Sequence, residues 1–137
     1  MDILLVNPYS EENFGINEAT VEVPVGILSL ASFLENRGIK VGILDAYAQR
    51  LSQLSVMDII KDCKPKVVGI SVNIFTFLQS IRYTKAIKEI SDEIVVIWGG
   101  PHPTIAYDIC LKRSEVDFIV IGEGEHTLLE IMNCLPD

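Results

Sequence analysis

The chain has 137 residues, of which 49% are hydrophobic and 22% charged, and its formal net charge is -8. This apolar content suits one domain with a full core and argues against disorder, while the acidic balance leaves no basic face for nucleic acid. No run is long and apolar enough to cross a bilayer and no basic segment precedes the first strand, so we expect a cytoplasmic protein with no membrane partner.

Taken in chain order, the first elements are a strand, a long loop and a helix. The apolar run 3–6 predicts the strand, which ends at Asn7, and the polar segment 8–23 predicts a loop. Pro24 suits the first turn of a helix, whose apolar residues then recur at i, i+3, i+4 and i+7 until Gly38.

The middle of the chain continues the alternation. Residues 40–45 predict the second strand, and a helix follows that begins near Ser55, with Asp58 as a weak capping partner. Residues 67–72 predict a third, buried strand, in which Ser71 is the first polar residue.

The last part of the chain adds two strands and three helices. A helix over 76–90 precedes the fourth strand, 94–98, and a helix over 104–113 begins at a threonine that suits an N-cap. The fifth strand, 117–121, precedes a helix from Glu125, whose charge suits a helix start.

Five strands that alternate with five helices predict a single α/β domain over residues 1–137. Because the strands are apolar throughout, they fit a parallel sheet with helices on both faces. We expect a flavodoxin-like, Rossmann-like doubly wound sheet of five parallel strands in the order 2-1-3-4-5.

The three cysteines, Cys63, Cys110 and Cys134, are an odd number and are widely spaced. They fit neither a disulfide framework nor a metal site. Each lies beside apolar residues on a predicted helix, so we interpret them as buried free thiols, consistent with a reducing cytoplasm.

The carboxyl ends of four predicted strands meet at one edge of such a sheet, where doubly wound folds bind their ligands. Small and polar residues are concentrated there. The segments are Asn7-Pro8, Ser71-Val72-Asn73, Gly99-Gly100-Pro101-His102 and Gly122-Glu123-Gly124.

Phosphate-centred ligands fit this edge poorly. The loop after the first strand has two glutamates in place of the glycines that approach a dinucleotide, and it lacks the hydroxyl-rich pattern of a flavin mononucleotide site. The acids of a phosphoacceptor receiver domain are also missing. Small neutral residues, Ser71, Gly99 and Gly100, instead predict a slot for a flat and mostly apolar group.

Each of these residues also has a structural interpretation. The glycine pair could make a tight turn, and Ser71 could satisfy a strand-end amide. Glu123 and Glu125 suit the start of a helix. His102 has no nearby ligand residues, so we expect a packing contact and predict neither a metal ligand nor a catalytic residue.

Five motifs are spread over nearly the whole chain: Val6-Asn7-Pro8, the segment 23–31, Val68-Gly69-Ile70-Ser71, the segment 98–104 and the segment 116–125. Together they resemble the cobalamin-binding domain at the N-terminus of many radical S-adenosylmethionine (SAM) enzymes. The resemblance implies cobalamin as cofactor, with its nucleotide tail beside Ser71 and the glycine pair and its corrin ring over the other strand ends. The predicted cofactor-binding residues are Asn7, Pro8, Ser71, Val72, Asn73, Gly99, Gly100, Pro101, His102, Gly122, Glu123 and Gly124.

Two departures refine the resemblance. The D-x-H-x-x-G motif that supplies a cobalt-ligating histidine is absent, as is common in the radical SAM branch, so we expect no protein histidine below the cobalt. The C-x-x-x-C-x-x-C cluster motif is also absent. The resemblance therefore implies that SAM and a 4Fe-4S cluster belong to a separate radical SAM catalytic domain, the expected partner in a methyltransferase-like reaction.

Two alternatives remain at this stage. A cofactor-free flavodoxin-like domain with an assembly or regulatory role would share the core pattern, and side chains would then fill the slot. A nucleotide-binding enzyme domain is the weaker alternative because of the acidic first loop.

Overall fold

A computed structural model of the chain describes residues 1–10, 12 and 22–136. Within them, five parallel strands form one sheet in the order β2-β1-β3-β4-β5. The strands are β1 (Ile3–Asn7), β2 (Val41–Asp45), β3 (Val67–Ser71), β4 (Val95–Gly99) and β5 (Phe118–Ile119). The predicted doubly wound sheet and its strand order are confirmed. Most of the predicted loop 8–23 lies outside the described residues.

Helices cover both faces of the sheet, as a parallel sheet requires. One face packs under the first and last helices, and the other under the two long central helices. The helices are α1 (Val25–Glu35), α2 (Ala46–Gln49), α3 (Gln53–Cys63), α4 (Phe77–Ile90), α5 (Pro101–Ile105), α6 (Tyr107–Cys110) and α7 (Glu125–Cys134). No helix among the described residues combines the length and apolarity that a bilayer crossing needs.

Each face has its own apolar core because successive strand residues point to opposite sides. The α1/α7 face buries residues such as Ile3, Leu5 and Ile97. The α3/α4 face buries Leu4, Ile70 and Trp98. The face under α1 and α7 is the one that opens at the carboxyl edge.

The predicted helix over 104–113 is wrong in its start and its continuity. The chain forms α5 from Pro101 and, after a break at Ala106, the short α6. Prolines fit the first turn of a helix because its amides need no intrahelical partner. Gly100 takes the N-cap position, so Thr104 lies inside α5.

Smaller boundary errors have local causes. The fifth strand was predicted over 117–121, but only Phe118–Ile119 is strand, although amides on either side of it still donate to β4 carbonyls. Helix α3 begins at Gln53, because Ser52 and not Ser55 is the N-cap and accepts a hydrogen bond from the Ser55 amide at 3.2 Å.

The prediction that all three thiols are buried is confirmed only for Cys110. Cys110 is buried, Cys63 is half-buried and Cys134 is exposed. Cys63 and Cys134 are the last residues of α3 and α7, where a helix face leaves the core.

Candidate functional site

Strand register brings the predicted slot residues side by side. Ser71 pairs with Gly99, and two residues deeper Gly69 pairs with both Leu5 and Ile97. Because residues two apart point to the same side of a strand, Gly69, Ser71 and Gly99 all face α1 and α7. These three residues therefore give this face of the sheet little side-chain volume near its carboxyl edge.

A cavity of about 720 Å³ occupies this space and opens at the carboxyl edge. Its sheet side includes Leu5, Gly69, Ser71, Ile97 and Gly99, and its helix side includes residues of α1 and α7. The helix-side residues are Gly26, Ile27, Leu30, Glu125 and Leu128. The volume lies in the range of small-molecule sites, and the inner walls are mostly apolar.

The two neighbouring glycines of β4 and its loop have different roles. Among the described residues, a Cβ at Gly99 would have only Val120 within 4 Å, with its Cβ and carbonyl oxygen at 3.9 Å, so a side chain at Gly99 would extend into the cavity. Gly100 has φ +106° and ψ -169°, a conformation essentially restricted to glycine. A Cβ at Gly100 would lie 3.0 Å from the Val72 carbonyl oxygen. Gly99 thus keeps the slot open, and Gly100 shapes the backbone.

Hydrogen bonds fix the backbone around the mouth. The Thr104 hydroxyl donates to the Gly100 carbonyl oxygen at 2.8 Å and accepts from the Gly122 amide at 2.9 Å. The Asn73 carboxamide oxygen accepts from the amides of Phe75 and Thr76 at 2.9 and 3.0 Å. Thr104 thus links the loops after β4 and β5, and Asn73 orders the loop after β3, so the described backbone of these three loops is fixed by hydrogen bonds.

One polar group at the mouth has a fixed orientation. The Asn7 Nδ2 donates to Asp45 Oδ1 at 3.0 Å, and the same oxygen accepts from the Ala48 amide at 3.0 Å. Since the Asn7 nitrogen faces Asp45, its oxygen is the atom left to accept a hydrogen bond from a ligand.

The outer rim is acidic. Glu12, Glu22, Glu123 and Glu125 line the cavity, and Arg50 is the one basic side chain among its described lining residues. Glu125 Oε1 accepts a hydrogen bond from the Ser29 hydroxyl at 3.0 Å, which joins α7 to α1 beside the opening. Glu12 is ion-paired with Arg82 at 2.7 Å, and the other rim carboxylates disfavour a ligand that carries several phosphates.

Nine of the twelve predicted cofactor-binding residues line the cavity, and Val72, Pro101 and His102 lie outside it. Val72 is buried on the opposite face of the sheet. The His102 ring packs against Phe77 with centroids 4.6 Å apart, and its Nε2 is buried without a hydrogen-bond partner in the described structure. The nine are Asn7, Pro8, Ser71, Asn73, Gly99, Gly100, Gly122, Glu123 and Gly124.

Several lining residues were absent from the predicted site. Gly69 had a readable signal, since a glycine inside a buried strand marks a close backbone approach and lies on the same face as Ser71. Gly26 also had a readable signal, because it is a glycine at the second position of α1. Ile27, Leu30 and Leu128 match ordinary core positions and carried no signal.

Cys110 has a thiol with a shifted pKa. Burial raises the pKa of this thiol above its ordinary value, Asp108 raises it further, and Arg113 opposes both. It packs in the core under the other face of the sheet, and no group of metal-ligating side chains occurs in the described part of the chain.

The fit to a corrinoid can be judged from these features. The cavity has mostly apolar walls and is open where a Gly99 Cβ would stand, and hydrogen-bonding groups line its rim. A cofactor-free domain would have a filled slot, which is not the arrangement here. Neither histidine of the chain, His102 or His126, lines the cavity.

Comparison with known proteins agrees with this class of site. The fold and cavity define a doubly wound cofactor-binding domain, and a family model described as the B12 binding domain matches residues 15–132. The chain belongs to the B12-binding domain family. The predicted resemblance and the predicted cofactor, cobalamin, are thereby confirmed.

The relatives are much longer proteins. An uncharacterized methyltransferase of Pyrococcus horikoshii, PH0819, is 32% identical over 137 residues, covering 98% of this chain and 29% of the relative. The anaerobic magnesium-protoporphyrin IX monomethyl ester cyclase of Rubrivivax gelatinosus is 30% identical over 98% of this chain and 24% of its own length. The chain thus spans less than a third of either relative.

Solved structures share the fold. The cobalamin-dependent SAM radical enzyme OxsB, with aqua-cobalamin and SAM bound, superposes with a TM-score of 0.80 at 21% identity, over 96% of this chain and 18% of that one. TsrM of Kitasatospora setae, a radical SAM methyltransferase with cobalamin and a [4Fe-4S] cluster bound, gives 0.79 at 21% identity, over 97% and 26%. In both neighbours the matched region is one part of a longer enzyme.

Proposed function

We propose that this chain holds cobalamin for a radical SAM catalytic domain, with the nucleotide tail in the slot and the corrin ring over the mouth. The observation that carries the proposal is the apolar cavity beside Ser71 and Gly99, in a chain of the B12-binding family. The names of the relatives favour a methyltransferase-like reaction.

The residues of the chain would bind and orient the cofactor. The flat base of the tail would lie between the sheet and α1/α7, against Gly99, with the Ser71 hydroxyl as a hydrogen-bonding partner. Asn7, through its free oxygen, and Glu123 at the rim would accept hydrogen bonds from side-chain amides of the corrin. Bound cobalamin would supply a cobalt centre able to carry a methyl group.

Retention of cobalamin tests the proposal directly. The chain is mixed with hydroxocobalamin and desalted, and we expect corrin absorbance to elute with the protein. Trp98, the single tryptophan, is buried immediately before Gly99, so its emission should also fall as the absorbing corrin binds. A folded sample that retains no corrin would contradict the proposal.

The position of the tail is tested with Gly99→Val. Valine suits a strand, and the Gly99 backbone does not have positive φ, so the fold should persist. Its side chain would fill the slot and weaken cobalamin binding by roughly tenfold or more. Cobinamide, which lacks the nucleotide tail, is the matched ligand control and should bind both proteins equally. Equal loss of both ligands would place the tail elsewhere.

A further inference from the structure

The inner end of the slot is set by one layer of the sheet. Leu5, Gly69 and Ile97 lie side by side in register and all three line the cavity. Two residues further in on the same face, Ile3 and Val67 are fully buried in the core and close the slot. A strand rises about 3.3 Å per residue, so the layer of Gly69 adds about 6–7 Å of depth beyond Ser71 and Gly99.

We propose that Gly69 sets the depth of the slot and thereby selects corrinoids whose lower base is a fused two-ring heterocycle over those with a single ring. The inference rests on the proposed function and extends it from cobalamin binding to the class of corrinoid preferred. A single-ring base would be accommodated near Ser71 and Gly99. The second ring of a benzimidazole or purine needs the next layer inward, where only Gly69 lacks a side chain.

The contacts of Gly69 show why a methyl group there would shorten the slot. A Cβ would lie 2.9 Å from Leu5 Cδ2 and 3.7 Å from Ile3 Cδ1. Ile3 is buried and closely packed, so the flexible end of Leu5 must move, and the open direction for it is the cavity that it already lines. The added methyl and the displaced Leu5 would both take space from the inner end.

The test compares three ligands with the unmodified chain and Gly69→Ala. The ligands are cobinamide with no base, a phenolyl cobamide with a one-ring base, and cobalamin with a two-ring base, each measured by quenching of Trp98 emission. In the unmodified chain we expect cobalamin to bind more tightly than the phenolyl cobamide. Gly69→Ala should weaken cobalamin about ten- to a hundredfold, the phenolyl cobamide several-fold at most, and cobinamide not at all.

Two further variants test whether a loss of affinity in Gly69→Ala comes from a shorter slot or from a general disturbance of the fold. In Gly42→Ala, on β2, the added Cβ also meets a flexible side-chain end, Met1 Cε at 2.7 Å, but Gly42 does not line the cavity, so all three affinities should be unchanged. Leu5→Val removes the end that a Gly69 methyl would strike. The double variant Gly69→Ala with Leu5→Val should therefore recover cobalamin affinity.

The outcomes distinguish this inference from the function on which it rests. If the unmodified chain binds cobalamin but does not prefer it to the phenolyl cobamide, the inference is overturned and the proposed function stands. Equal losses of one-ring and two-ring ligands in Gly69→Ala would also overturn it. If the unmodified chain binds no corrinoid, the proposed function fails, and the inference fails with it.

Discussion

Of the two adjacent glycines after Trp98, only Gly100 should lower the free energy of unfolding when it is replaced by alanine. Gly100 combines φ +106° with ψ -169°. An L-residue in that region is strained by about 1–3 kcal/mol. In addition, the new Cβ would lie 3.0 Å from the Val72 carbonyl oxygen and 3.1 Å from its nitrogen. These are backbone atoms of the loop after β3, so no side-chain rotation can relieve the contact.

The expected loss in Gly100→Ala follows from these terms. Backbone strain and a small overpacking together give about 2–4 kcal/mol. For a chain of 137 residues this lowers the melting temperature by about 10 °C. Gly99→Ala has no contact closer than 3.9 Å and no positive φ. It should be neutral or stabilising by up to about 1 kcal/mol, because alanine restricts the unfolded chain.

Thermal unfolding of the two variants, followed by far-ultraviolet circular dichroism and by Trp98 emission, measures the difference. The variants are matched controls for each other, since each adds one methyl group at adjacent positions. A Gly100→Ala melting temperature within about 3 °C of the unmodified chain would refute the reasoning that Gly100 is a conformational glycine.

Three further predictions concern the buried Thr84–Trp98 hydrogen bond and the cysteines. Thr84→Val removes the acceptor of the buried Trp98 Nε1, now bonded at 2.9 Å, and should cost about 1–3 kcal/mol in urea unfolding; an unchanged midpoint would contradict this. Exposed Cys134 should react with iodoacetamide in the native protein, whereas Cys110 should react only on unfolding. Burial raises the folded-state pKa of the Cys110 thiol above its ordinary value. The stability that the neutral thiol contributes is therefore complete below the unfolded-state pKa and is lost as pH rises through the folded-state pKa. Urea midpoints should therefore fall above about pH 9, and Cys110→Ala, which has no thiol to ionise, should lose that fall.

Much of the fold was predictable because its strands are continuous apolar runs. Strands buried on both faces need no polar alternation, so segments such as 67–72 are easy to recognise. Local cap geometry was harder. The start of α5 depends on Gly100 adopting a conformation that the sequence permits but does not require. The side chain of Thr104 then bonds both Gly100 and Gly122, a pairing 18 residues apart along the chain.

The candidate site was predictable in its sheet half and not in its helix half. Ser71 and Gly99 follow strand ends, and strand order alone makes them neighbours. The opposite wall is made of apolar residues such as Ile27 and Leu128, which a helical pattern assigns to the core. The space between them remains open because Gly99 withholds a side chain from this face of the sheet, while the end of the Leu5 side chain lies over Gly69.

The polar groups at the mouth are suited to positioning a ligand. Asn73 and Thr104 are already committed to backbone amides, and Asn7 is oriented by Asp45. Groups held in this way can position a ligand without reorganising when it arrives, which lowers the entropic cost of binding. They cannot readily move protons, because their hydrogen bonds serve the loops. On the proposed function, the reactive chemistry would reside in the cofactor and in a catalytic domain, and the residues of this edge would bind and orient the corrinoid.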